Sequence, residues 1–299
     1  MSDMKTAVLA PPKLLRPAGS EESYVKIVPP SGWPALILRD VWNFRDLLMA
    51  LAGRDVKLRY KQTVLGVVWV ILQPLMAAGV FAFVFGRVAQ LPTDGVPTLL
   101  FMYVGLLGWN LFAGTLAKTS NCLIGNSALI SKIFFPRLVL PFSSIASVLI
   151  DFGVAGGMMV LLMFIYHWPP SVGIVLLPLW IVMLLMMSMG VGLIAAALNV
   201  SYRDVAYILP VVTQVLMYGS PIAYSAKSAL KHIPEKYQIL YFLNPLVGPL
   251  EAFRVNLLGG PWPAHLSMAL VYSGCMSVVL LLVGGYSFKK MERKFADVI

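Results

Sequence analysis

The sequence predicts an all-α polytopic membrane protein with six transmembrane helices. Three observations lead to this fold class: the composition, the length of the apolar stretches and the distribution of positive charge. Hydrophobic residues make up 59% of the 299 residues and charged residues 12%, whereas ordinary globular domains contain about 45–50% and about 25%. A water-soluble fold of this size cannot bury so much apolar surface. The composition therefore excludes an ordinary soluble enzyme, a disordered chain and a disulfide scaffold.

Six stretches are long enough to cross a hydrocarbon core of about 30 Å as helices. Asp151 is the only formally charged residue in them. The predicted spans cover residues 64–86, 97–117, 138–166, 171–200, 205–225 and 266–288, and they form a predicted transmembrane domain of residues 64–288.

The positive charges orient these spans. If both termini are cytoplasmic, the cytoplasmic segments carry 18 of the 23 Lys and Arg residues and the outer loops carry five. Cytoplasmic loops of membrane proteins are enriched in Lys and Arg, so this orientation is the expected one. The net charge of +10 then reflects basic loops and a basic cytoplasmic tail, residues 289–299. It points to membrane lipids, not nucleic acid, as the partner.

The segment before the first span divides into two parts. Residues 1–34 contain six prolines and no apolar period, which predicts a flexible cytoplasmic arm. In residues 35–53, apolar side chains repeat every three or four positions, which predicts an amphipathic helix lying in the cytoplasmic membrane interface. The alternative is a helix packed on a small soluble subdomain. The apolar face consists of Ile37, Val41, Phe44, Leu48 and Leu51.

A cluster of four cations completes this interface region of residues 35–63, just before the first span. The cluster consists of Arg54, Lys57, Arg59 and Lys61. Cations at this depth anchor the topology, and they also attract the phosphate of a lipid-borne ligand. The two roles are compatible, and both are expected.

Two connecting loops are long enough to carry function. The cytoplasmic loop 118–137 contains a predicted short helix, residues 121–133, that either docks a partner or is a plain connector. In the outer loop 226–265, two apolar segments too short to span are separated at Asn244-Pro245. They predict a re-entrant pair of helices, residues 237–258, in which Glu251 and Arg254 lie one turn apart and form an ion pair.

Polar and aromatic residues follow one face of several predicted spans. Such stripes face protein or water because lipid cannot satisfy them. They are either helix–helix contacts or the lining of a channel for a polymer such as a glycan. The predicted lining residues are Trp69, Gln73, Tyr103, Asn110, Tyr207, Gln214 and Tyr218.

Asp151 is an intramembrane carboxylate with Ser147 one turn before it. Such a residue is either a proton relay or a structural residue bonded to serine and backbone, and the absence of a second intramembrane charge favours the structural role. The sequence contains no phosphate-binding Gly-x-x-x-x-Gly-Lys-Ser/Thr loop, no metal-ligand spacing and no catalytic constellation. We therefore expect no enzyme activity and no cofactor in this chain, and any ATP must be bound by another chain.

Four ordered motifs resemble those of type-2 ABC exporter permeases, and most closely those that export lipid-linked polysaccharide such as O-antigen, capsule or teichoic acid. The resemblance covers about residues 36–290. The motifs are RDVKLRYKQTVLGVVW at 54–69 with QPL at 73–75, LISKIFFPR at 129–137, NVSYRDV at 199–205, and NPL at 244–246 with Glu251, Phe253 and Arg254.

This resemblance implies a homodimeric permease in a bacterial inner membrane that binds two copies of an ATPase subunit, on which ATP and Mg are bound. It implies that a lipid-linked glycan leaves the cytoplasm through a channel between the protomers. Leu65 and Gly66, beside the basic cluster, resemble a loop that meets the lipid diphosphate. The implied ATPase-coupling residues are Asn121, Leu123, Ile124, Ser127, Ile130 and Arg203.

The alternative functions belong to other classes. A proton-coupled secondary transporter would use Asp151, but such proteins usually show repeat symmetry and more buried charges. A membrane glycosyltransferase or acyltransferase would need convergent His or carboxylate groups, and the sequence places none together. A purely structural membrane protein is the third alternative.

Overall fold

The computed structural model describes residues 38–61, 66–263 and 265–298. Within these ranges the chain is helical, with no strand. The predicted arm, residues 1–34, lies outside the described residues. Twelve helices follow in order: α1 (Leu38–Asn43), α2 (Arg45–Lys61), α3 (Gly66–Phe81, extended by a π-helix at Ala82–Val88), α4 (Thr98–Asn121), α5 (Ser127–Ile130), α6 (Val139–Ile165), α7 (Leu177–Ser201), α8 (Val205–Tyr218), α9 (Ala226–His232), α10 (Glu235–Phe242), α11 (Val247–Leu258) and α12 (Leu266–Val298).

Five segments of the described chain are helical, long and apolar enough to cross a membrane. They are Val68–Val88, Thr98–Asn121, Val139–Ile165, Val172–Ser201 and Leu266–Glu292. The predicted fifth span, 205–225, is helical only over the 14 residues of α8, or about 21 Å at 1.5 Å per residue. The helix ends before the Gly219-Ser220-Pro221 turn. The six-span topology and the cytoplasmic termini remain predictions.

Helix α4 is the centre of the larger of two apolar cores. Most of its residues are buried, and it packs against α3, α6, α7 and α11. Small residues allow this close packing: a Cβ on Gly105 would lie 2.6 Å from the carbonyl oxygen of Ile222. Helices α7 and α12 cross at Gly190 and Gly284 with direct backbone contact. The backbone approach at both places requires glycine.

The second core lies where α1 and α2 meet the ends of α6, α7 and α12. Val41 and Leu51 are buried in it, and Phe44 and Leu48 pack against it. The apolar face predicted for residues 35–53 therefore contacts protein over its described part, while Ile37 lies outside the described residues. Trp42 and Met49 remain exposed. A position in the membrane interface stays a prediction.

The predicted end of this helix at Gly53 is wrong, because α2 continues to Lys61. Glycine inside a helix costs only about 1 kcal/mol relative to alanine. The burial of Leu51 and Ala52 immediately before Gly53 offsets that cost. The helix instead breaks earlier, at Phe44, between α1 and α2.

The predicted pair of short helices at 237–258 is present as α10 and α11, separated by four residues. The Asn244 side chain accepts a hydrogen bond from the backbone N–H of Leu246 and so supports the start of α11. Helix α11 is buried over almost its whole length. Whether the pair re-enters the membrane stays a prediction.

Candidate functional site

The basic cluster is only partly described. Arg54 lies on α2 and donates hydrogen bonds to Asp55 Oδ1 at 2.8 Å and to Asn126 Oδ1 at 2.6 Å. Lys57 is exposed. Arg59 and Lys61 lie in the last turn of α2, but their side chains are outside the described residues, as is the whole of Leu65. Gly66 is the first residue of α3. The role of the cluster in binding phosphate is still a prediction.

A wide groove opens beside Arg54, between α2, the end of α4 and the start of α6. It has a volume of about 520 Å³, and six of its ten lining residues are polar. Arg54 and Lys118 are its two cations, and Asp55 its carboxylate. The Arg54–Asn126 hydrogen bond closes one side of the groove and connects α2 to the loop after α4.

The predicted single helix at 121–133 is wrong. Helix α4 ends at Asn121, and a 3-10 turn (Ile124–Asn126) and the short α5 follow. The regular helix stops because Cys122 and Leu123 enter the second core, where Leu123 is fully buried. The side chain of Asn126 then donates to the carbonyl of Cys122 at 2.8 Å, which supports the turn.

The predicted coupling residues therefore separate into two groups. Leu123 and Ile130 are buried, so they hold the loop on the protein and do not offer a contact surface. Asn121 accepts a hydrogen bond from Asn199 at 3.3 Å, and Ser127 is half-buried. Ile124 is exposed, as is Arg203 in the turn between α7 and α8.

Sequence reasoning missed two exposed apolar side chains in the same loop. Ile133 and Phe134 are 51% and 68% exposed. They follow α5 directly and precede Pro136. Neighbouring large apolar side chains that remain exposed on a loop form a candidate contact surface. Their place in the LISKIFFPR motif was the signal that could have identified them.

The C-terminal helix is tied to this loop. The backbone N–H of Arg137 donates to Glu292 Oε1 at 3.3 Å, and Lys289 forms an ion pair with Glu292 at 3.1 Å. Burial lowers the pKa of the Arg137 guanidinium from its usual value, and the nearby Glu292 carboxylate opposes that shift. The basic tail is thus a continuation of α12 that braces the loop.

The predicted channel-lining residues do not share one surface. Tyr103 is fully buried and donates a hydrogen bond to the carbonyl of Ala155 at 2.9 Å. Its side chain does not reach the surface of the protomer, so the prediction that it lines a channel is wrong. Trp69 on α3 is half exposed. Tyr207, Gln214 and Tyr218 are exposed along α8, and α8 has no buried residue.

Gln73 and Asn110 are exposed, and they instead line a second, open cavity between α3, α4 and α6. Its volume is about 280 Å³. Lys118 and Asp151 line the same cavity, and their Nζ and Oδ2 atoms lie 3.7 Å apart. Lys118 also donates to Ser147 Oγ at 2.6 Å. Asp151 is therefore held by a lysine that bridges it to the predicted serine.

Sequence reasoning missed Lys118 because the second span was predicted to end at Ala117. Helix α4 continues to Asn121, which brings Lys118 onto the helical face of Asn110 and Gly114. The spacing of four residues between these three positions was the available signal.

A second ion pair lies at the other end of the bundle. Glu251 and Arg254 on α11 form the predicted pair, and both are almost completely buried. Glu251 accepts a hydrogen bond from the backbone N–H of Ala226 at 3.1 Å, and Arg254 donates to the carbonyl of Pro221 at 3.0 Å. The Arg254 guanidinium also lies 4.3 Å from the ring centroid of Phe101.

This second pair holds the turn that follows α8. Asn244 donates to the carbonyl of Gly219 and to Ser220 Oγ, both at 3.1 Å, and Pro245 is half-buried beside it. The four residues predicted for the re-entrant segment thus anchor the turn at 219–226. Among the described residues, no cluster of His, Cys, Asp and Glu could hold a metal ion.

Comparison with known proteins agrees with this helical architecture. The ABC-2 type transporter family profile matches residues 46–258, and the chain belongs to this family. It is 29% identical over 257 residues to an O-antigen export system permease protein RfbA of Klebsiella pneumoniae, covering 85% of this chain and 95% of that protein.

Two further relatives come from other bacteria. An O-antigen export system permease protein RfbA of Myxococcus xanthus is 27% identical over 264 residues, covering 88% of this chain and 99% of that protein. The polysialic acid transport protein KpsM of Escherichia coli is 26% identical over 254 residues, covering 81% and 92%. These relatives align over nearly their whole length, and the family profile reaches from α2 to the end of α11.

Proposed function

We propose that this chain is the permease subunit of an ATP-driven exporter that moves a lipid-linked polysaccharide outward across a bacterial inner membrane. One observation carries the proposal: relatives named for O-antigen export and for polysialic acid transport match over 92–99% of their lengths. ATP and Mg bind a separate subunit, of which two copies associate with a permease homodimer. The chain itself has no enzymatic role, and both of its termini are cytoplasmic.

Coupling to ATP runs through the loop after α4. The exposed side chains Ile124, Ile133 and Phe134 supply an apolar surface for the ATPase. Buried Leu123 and Ile130 fix that loop to the second core. Because α4 extends without interruption from this loop into the main core, a force applied to the loop moves α4 directly.

The substrate follows a path from the basic cluster to the outer turn. Its diphosphate meets the cations of α2 at the cytoplasmic surface, since concentrated negative charge favours this position. The glycan passes along the exposed polar face of α8, which the two protomers present to each other. The turn held by Glu251 and Arg254 closes the outer end of this path.

The proton-coupled alternative depends on Asp151 acting as a proton carrier. Asp151 lies 3.7 Å from Lys118, and Lys118 also donates a hydrogen bond to Ser147 Oγ. The ion pair therefore supports the structural role, and no observation specifically favours the alternative.

Reconstitution tests the proposal. The permease is co-expressed with its ATPase, purified, placed in lipid vesicles and supplied with polyprenyl diphosphate-linked glycan. We expect glycan-stimulated ATP hydrolysis and outward transport that a protonophore does not abolish. Transport that collapses with the proton gradient, in the presence of ATP, would establish the secondary-transport alternative instead.

A further inference from the structure

The cavity between α3, α4 and α6 contains polar groups that the protein leaves unsatisfied. The side-chain amides of Gln73 and Asn110 make no hydrogen bond to any described residue. Both lie in helices long and apolar enough to cross a membrane. An amide in such a helix that faces a cavity requires water or a ligand to satisfy it, because lipid provides no partner.

Four of the thirteen lining residues are polar, and their formal charges balance. Lys118 and Asp151 neutralise each other, and the two amides carry no charge. Each amide offers both a donor and an acceptor, which matches hydroxyl groups, since each hydroxyl both donates and accepts. Phe152 and the aliphatic side chains around it form an apolar wall. This combination favours a neutral polyol such as a sugar ring over a free anion.

The size and position of the cavity further limit which ligand it can bind. About 280 Å³ is close to the lower end of ligand pockets, which begin at about 300 Å³, so the cavity takes one small unit and not a polymer. Lys118 lines both this cavity and the groove that contains Arg54. Asn110 lies eight residues before Lys118 on α4, or about 12 Å deeper.

We propose that this cavity binds the first sugar of the lipid-linked glycan while the adjoining groove holds the diphosphate. The inference rests on the proposed function and adds a second recognition element to it. In such a substrate the phosphate and the first sugar are directly bonded, as the groove and the cavity are directly adjacent. The cavity therefore binds the sugar, and the basic groove binds the negatively charged diphosphate.

The test uses the full complex with its ATPase in lipid and two probes. One is a polyprenyl diphosphate that carries a single N-acetylhexosamine, and the other is the same lipid without the sugar. Asn110→Leu and Gln73→Leu remove the amides, and their apolar side chains are compatible with lipid. Gly114→Leu fills the cavity: a Cβ at Gly114 lies 3.7 Å from Val148, an ordinary contact. Gly79→Leu on α3 is the control, since a Cβ there meets nothing within 4 Å.

Half-saturation of ATPase stimulation is measured for each probe. We expect the three cavity variants to raise it about tenfold for the sugar-bearing probe and less than twofold for the bare lipid, and Gly79→Leu to match the wild type. Suppose that both probes stimulate the wild-type complex. If the cavity variants then change half-saturation equally for both probes, or for neither, the cavity assignment is wrong while the proposed function stands. If neither probe stimulates the wild-type complex, the lipid-linked substrate is wrong and the cavity assignment fails with it.

Discussion

Each end of the helical bundle contains an ion pair, and the two ion pairs differ in their surroundings. At one end, Lys118 and Asp151 face an open cavity, and their side chains are 32% and 17% exposed. At the other end, Glu251 and Arg254 are 4% exposed or less, and backbone groups occupy their remaining hydrogen-bonding positions. The first pair borders a cavity, whereas the second is sealed from solvent and fixes the turn at 219–226.

Breaking the sealed pair should have the largest effect. Glu251→Ala or Arg254→Ala leaves an unpartnered charge in the core, and such a loss typically costs about 3–5 kcal/mol. We expect a strong loss of thermal stability in the purified permease, with the turn at 219–226 becoming accessible to proteolysis. The double replacement Glu251→Leu with Arg254→Met should be less damaging than either single change. Equal damage from all three variants would contradict this assignment.

The loop after α4 is expected to show the next largest effect. Ile124→Asp or Phe134→Asp places a charge in the proposed ATPase contact, and hot-spot residues of this kind contribute about 2 kcal/mol or more. Co-purification with the ATPase should fall sharply while the permease itself unfolds at the wild-type temperature.

Leu123→Asp is the control variant for the two exposed positions, Ile124 and Phe134, in that loop. Leu123 is fully buried, so a charge there should destabilise the permease itself. An Ile124→Asp, Phe134→Asp double variant that still assembles and exports normally would show that the ATPase docks elsewhere.

The basic cluster should produce an intermediate effect that does not depend on the sugar. The double variant Arg59→Gln, Lys61→Gln removes two juxtamembrane cations, each contributing about 1 kcal/mol to the attraction for an anionic lipid. We expect half-saturation of ATPase stimulation to rise at least roughly tenfold and up to about thirtyfold, which corresponds to about 1.4–2 kcal/mol, for both the sugar-bearing and the sugar-free lipid. Orientation and dimer assembly should not change. An unaltered half-saturation would reduce the cluster to a topology signal.

Asp151→Asn should have the smallest effect. The amide still accepts a hydrogen bond from Lys118, and partial exposure lets water solvate the lysine, so the stability cost should be about 1 kcal/mol or less. Export in vesicles should remain at half the wild-type rate or higher. Complete loss of transport in a folded, assembled variant would indicate a proton relay and favour the secondary-transport alternative.

These expectations differ in how far the sequence alone supports them. The ion pair between Glu251 and Arg254 was predictable because their separation of three residues places them on one helix face. The pair between Lys118 and Asp151 was not, since its members are 33 positions apart and on different helices. Only the packing of α4 against α6 brings them together. Leu123 shows the same limit: an apolar residue in a loop has no local pattern that distinguishes a core contact from a docking contact.

What the sequence determined by itself was the class of the molecule and its family. The composition and the long apolar stretches require a membrane environment, and the ordered motifs identified the ABC-2 permease family. Both signals lie in short stretches of sequence, so they can be recognised without knowing how the helices pack. The tertiary structure decided which polar residues share a space. It buried Tyr103, ended helix α4 at Asn121 and placed Gln73 and Asn110 around one cavity. Such contacts depend on the angles at which helices cross, and those angles follow from close packing at small residues such as Gly105 and Gly190.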